Sequence, residues 1–108
     1  MSEQLKAALE MVQRQAKELD QIFSQASEDL NTVAAGERVG KWKSKTTGLI
    51  AQHLGQTEAK QFSQLQPGPS FTNDMLEELG DEVEFYRTSI TALAAKIKNQ
   101  PQADHGSP

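Results

Sequence analysis

A chain of 108 residues, 36% apolar, with four Phe, one Tyr and one Trp, can bury one modest core and no more. Its formal charge of -4 argues against a surface that binds nucleic acid at large, and the lack of cysteine excludes disulfides and thiolate metal sites. The first twenty residues are charged and periodic, without the apolar run of a signal peptide, and no later stretch is apolar enough to span a membrane. A reducing cytoplasm is therefore the expected location.

The first segment carries Leu5, Leu9, Val12, Ala16, Leu19, Phe23, Ala26, Leu30 and Val33 at alternating steps of four and three. Such a heptad seam predicts a long amphipathic helix over about residues 3–34, with Ser2 as N-cap and Glu10–Arg14 as a favourably oriented pair. Ser27, Asp29, Asn31 and Thr32 weaken its last turns, so an end near residue 28 is the alternative. A helix of the full length spans about 45 Å at ~1.5 Å per residue.

Gly36 is expected to break the chain before a shorter helix over about residues 37–54. Val39, Trp42, Thr46, Leu49, Ile50, His53 and Leu54 share one face of it, and Gly55 stands where a C-terminal cap belongs. A brief helix over about 57–65 follows, with Thr57 as N-cap and Ala59, Phe62 and Leu65 inward. The prolines of "QPGPS" at 66–70 force a loop. Phe71 then precedes Thr72, read as the N-cap of a last helix over about 72–99. Its seam is Leu76, Leu79, Val83, Tyr86, Ile90, Leu93 and Ile97, interrupted by Gly80. Residues 100–108 are polar, hold two prolines and read as a disordered tail or linker after a single domain over 1–99.

These elements predict an all-α bundle of three to four helices, two long and heptad-patterned, flanking a shorter pair. With the second helix about half as long as the first and last, apolar stripe would remain for a second copy of the chain. Leu19, Phe23, Leu30, Leu79, Tyr86 and Ile90 are the large side chains expected to carry packing or self-association, in a homodimer or higher homo-oligomer.

The tryptophan lies in the densest basic cluster, "ERVGKWKSK". Helical phase separates the two, placing Trp42 with Val39 and Leu49 as a core anchor and Arg38, Lys41 and Lys45 on a flank. Lys43, on the other edge, can lay its stem over apolar surface. The basic flank is a candidate anion-binding surface for a nucleic acid or nucleotide. Its nearest candidate partner is internal: Asp74, Glu77, Glu78, Asp81, Glu82 and Glu84, six acids with no base before Arg87. Their spacing lacks the alternation and central glycine of a calcium loop, so a solvated or flank-facing surface is expected there. His53 lies on the apolar side of its helix and His105 in the tail, which leaves no zinc site. No nucleophile–base pair and no phosphate-cradling glycine loop is visible, so neither catalysis nor a cofactor is expected.

The order Trp42, Thr46, Leu49, Ile50, Leu54, Gly55, Thr57 and Phe62, between two long helices, resembles a helical region found in many bacterial proteins. That region precedes Toll/interleukin-receptor-like or predicted nucleotide-binding domains, often in defence-associated proteins. The resemblance covers about residues 1–99 and implies a module for self-association or regulation, with any nucleotide chemistry in a domain beyond it. A further likeness is to secreted helical dimers of the WXG100 type. Trp42-Lys43-Ser44 lacks the glycine of that turn, however, and a helix continues through the place where the hairpin would bend. The expected function is therefore a non-enzymatic helical interaction or oligomerisation module that positions or regulates an attached or associated effector.

Overall fold

A computed structural model describes residues 2–100. Four helices follow one another: α1 (Glu3–Asp29), α2 (Thr32–Leu54), α3 (Gln56–Ser63) and α4 (Met75–Lys98). The described residues contain no strand, and the protein is an all-α bundle. The expectations for residues 101–108, His105 included, lie outside the described residues.

Each helix boundary has a local chemical cause. Ser2 caps α1, its hydroxyl accepting from the Leu5 amide at 3.1 Å. At the other end α1 stops at Asp29, close to the alternative end near residue 28, and the expected extension to residue 34 does not form. Leu30 turns into the left-handed region (φ 56°, ψ 21°), its amide still bonded to the Ala26 carbonyl. The Asp29 carboxylate accepts from the Asn31 amide at 2.8 Å, and the Asn31 side chain accepts from the Ala34 amide at 3.1 Å. Two Asx side chains thus close one helix and open the next within two residues. The break expected at Gly36 moves to Leu30–Asn31, and Gly36 sits inside α2.

α2 consequently has 23 residues against 27 in α1 and 24 in α4, so it is not the half-length helix expected. Gly55, at φ 101°, ends it in a conformation that favours glycine and also precedes α3, for which Thr57 provides no side-chain cap. α4 starts three residues later than the expected Thr72. Asp74 wins the competition for the cap because its carboxylate takes both the Leu76 and Glu77 amides, at 2.9 and 3.1 Å. Thr72 is left to accept from the Asp74 amide. Phe71 packs on nothing and is 96% exposed, so no hydrophobic staple forms.

α1 lies against both α2 and α4, antiparallel to each, so it needs two apolar lines where the heptad reading supplies one. Ala8, Met11 and Gln15 form the second line and are buried with Val12, Ala16, Leu19 and Ala26. The α1–α4 contact is closed at Gly80, where an added Cβ would stand 3.3 Å from Cε1 and Cζ of Phe23. That close approach, not a helix interruption, is what the glycine serves. Arg87 of α4 clamps Asp20 of α1 with its Nε at 3.0 and 3.2 Å from the two carboxylate oxygens. The short α3 packs on α2 and covers the far half of the α2–α4 groove, tied there by an ion pair between Glu58 and Lys96.

The core is completed by α2 and α4 side chains: Val39, Trp42, Thr46 and Ile50 face Leu79, Val83, Tyr86 and Ile90. Both long seams are thereby used within one chain, except at Leu30 and Val33, which lie past the end of α1. Leu19, Leu79, Tyr86 and Ile90 are each buried, and Phe23 is half-buried against Gly80. The projecting stripe expected of the seams is reduced, among the described residues, to their Leu30 and Val33 end. Leu30 alone of the six expected interaction residues is left outside, at 66% exposure.

Candidate functional site: an acidic pole with an apolar groove

The middle of the bundle is closed. Trp42 is 3% exposed and donates its indole N–H to the Gln15 carbonyl at 2.8 Å. Its ring meets Phe62 at 6.0 Å and Tyr86 at 5.9 Å between centroids, which brings α2, α3 and α4 together at one point. Beside it the Thr46 hydroxyl donates to the buried Gln15 side-chain carbonyl at 3.2 Å. Lys43 donates to the Leu65 carbonyl at 2.6 Å and holds its ammonium 5.2 Å from the Tyr86 ring centroid. With its polar groups paired and its ring enclosed, Trp42 offers no stacking face to a base.

The basic flank is divided. Lys45 pairs with Glu18 of α1 at 2.5 Å, while Arg38 and Lys41 are exposed. None of the three forms an ion pair with the acids of α4 among the described residues, so the expected internal match between flank and acidic run is not made. Helical phase explains it: Lys45 points across the α1 side of α2, away from α4. Among the described residues no group of three or more His, Asp or Glu side chains is placed to hold a metal ion, and no helix is long and apolar enough to cross a membrane.

What stands out lies at one end. α3 has only eight residues, about 12 Å of helix. The part of the α2–α4 groove beyond it faces only the loop that returns to α4. An open groove of about 620 Å³ remains there, lined by Thr32 and Gly36 of α2, Pro67–Ser70 of the loop, and Met75, Leu79 and Phe85 of α4. Three carboxylates, Glu78, Asp81 and Glu82, share its lining with no basic residue among them. Burial pushes the Glu82 carboxyl above the usual carboxylate range, and the neighbouring Glu78 charge pushes it further, against an opposing pull from Lys43.

Four large apolar side chains are exposed at the same end. Leu30 (66%) and Val33 (67%) flank the α1–α2 turn, and Phe71 (96%) and Met75 (60%) flank the start of α4. Thr32 and Met75 line one groove, which places both pairs at one pole. The charge gathers there too: residues 28–38 and 67–85 hold nine of the 15 acids and one, Arg38, of the 11 lysines and arginines. The sequence marks the acids as a solvated or flank-facing surface and Leu30 for packing or self-association, but gives no outward role to Val33, Phe71 or Met75. Phe71, two residues past Pro69, and Met75, beside Asp74 and Glu77, were the available signal.

No protein-family model, curated protein or solved structure matches the chain.

Proposed function

We propose that this protein is a non-enzymatic helical interaction module that binds a protein partner through its acidic, apolar pole. The observation that supports the reading is the grouping of Leu30, Val33, Phe71 and Met75, exposed together beside an open groove, while the other large apolar side chains among the described residues are buried or partly buried. Scattered exposed apolar residues are ordinary; a cluster at one end of a small bundle marks a contact surface. The role of positioning or regulating an attached or associated effector rests on the resemblance carried by Trp42, Thr46, Leu49 and Ile50. An anion-binding role for the basic flank is less favoured, because Lys45 is already engaged with Glu18.

A photo-crosslinking side chain placed at Val33 or Phe71 tests the reading in cells that express the chain. Both positions should give a covalent adduct of one defined mass. The same side chain at Glu10, exposed on the half of α1 remote from that pole, should give none. Adducts of the same mass from Glu10, or none from Val33 and Phe71, would refute the proposal.

A further inference from the structure

We infer that the groove between the first halves of α2 and α4 is a docking site for a cationic amphipathic helix of a partner protein. Such a segment would insert its apolar side chains between Gly36, Leu79 and Phe85 and set lysines or arginines against Glu78, Asp81 and Glu82. The inference rests on the interaction-module reading above and specifies the partner's chemistry.

The shape of the site calls for a helix. Three long helices with a fourth of eight residues leave the α2–α4 groove half covered. The groove's lining runs from Met75 to Phe85 on α4, about 15 Å or close to three turns, with the loop residues Pro67–Ser70 and no helix beside it. An incoming helix would stand where a longer third helix of a four-helix bundle stands. Gly36 permits its approach, since nothing lies within 4 Å of the position a Cβ would take. On α4 the groove-facing positions 75, 78, 79, 82 and 85 alternate apolar and acidic groups along one face, matching a helix with an apolar stripe and basic borders.

The charge selects the occupant. The chain's own residues 101–108 include an aspartate and no lysine or arginine, so they do not complement the carboxylates. A second copy is disfavoured at either end. Its large exposed apolar side chains are on the same acidic pole, so joining two such poles sets acid against acid. Its remaining surface supplies the bases but, among the described residues, exposes no large hydrophobic side chain to fill the groove. A separate cationic partner meets both requirements.

The test is fluorescence anisotropy with a labelled synthetic helix bearing leucines at i, i+3, i+4 and i+7 and lysines elsewhere. The whole chain should bind it in a saturable manner. Binding should weaken about tenfold or more for a peptide with glutamates in place of lysines, and likewise for one with the same composition scrambled. Glu78→Lys with Glu82→Lys should weaken it by a similar factor, and Gly36→Leu should do so by obstruction without changing charge. Each variant should keep the melting temperature within a few degrees, while Glu10→Lys should bind as the parent does. Equal binding of the scrambled peptide, or indifference to both groove variants, would overturn the assignment. So would light scattering that shows a dimer dissociated by Val33→Asp, since the groove's occupant would then be a second copy. If the peptide fails but Val33 and Phe71 still crosslink a discrete protein, the groove assignment falls and the interaction module stands. If the crosslinks fail as well, both fall.

Discussion

The surroundings of Trp42 and the surroundings of Leu30 both carry large apolar side chains, yet one is closed and the other open. Near Trp42, α1, α2, α3 and α4 all contribute, the indole N–H has its carbonyl, and the aromatic rings fill the space between helices. Near Leu30, α3 is missing, a proline-bearing loop takes its place, and four large apolar side chains face outward. The difference in exposure follows from coverage. It teaches that the length of α3, set by where Ser63 ends it and Pro67 prevents its return, decides which part of the chain is core and which is surface.

The comparison breaks first on large-to-small substitution. Trp42→Ala should cost about 3–5 kcal/mol, as for other buried aromatics. At ~4–8 °C per kcal/mol, that lowers the melting temperature by roughly 12 °C or more. Phe71→Ser should change stability by less than about 0.5 kcal/mol, because the ring touches almost nothing. Chemical denaturation of both variants checks this; a comparable loss at position 71 would mean that the pole is part of the core. A smaller effect is expected at the polar pair in the closed region. Thr46→Val keeps the shape but leaves the buried Gln15 carbonyl without its donor, at about 1–2 kcal/mol. The double variant with Gln15→Leu should recover part of that loss, and strict additivity would show that the two side chains do not interact.

The smallest effect belongs to the open region and depends on pH. The folded state holds Glu82 above its ordinary value, so it favours the protonated carboxyl. Glu82 therefore stabilises least once it is ionised: its contribution is intact below the usual carboxylate range and declines as pH rises through the raised value. Glu82→Gln removes the ionisation. Its melting temperature should exceed the parent's near pH 7, and the gap should close by about pH 4. A constant gap across this range would show that the burial of the carboxylate is without consequence.

The helical architecture is legible in the sequence because the seams of α1 and α4 repeat without error, and their phase follows from the backbone alone. What is not legible arises where two local signals compete or where a third element intervenes. Gly36 and Asp29–Asn31 both signal a break, and the side chains that bond to backbone amides prevail over the residue that merely lacks a preference for helix. Asp74 prevails over Thr72 in the same way. The second apolar line of α1, through Ala8, Met11 and Gln15, is invisible to a heptad reading because that pattern assumes one neighbour. Leu30 continues the seam in register, and only the helix end one residue before it turns the side chain outward. The groove is less legible still, since it is bounded by three segments that are distant in sequence and owes its existence to the brevity of one of them.

The described residues extend 55 Å along their longest axis and only 24 and 19 Å across, with most of the acids near one end of that rod. A body of this kind carries a permanent electric dipole along its length and is turned by a charged neighbour before the two touch. A cationic partner would meet the apolar end first, and collisions along the flanks would be less frequent than chance allows. Added salt should therefore lengthen the search while leaving the lifetime of the contact, once apolar surfaces have met, nearly as it was.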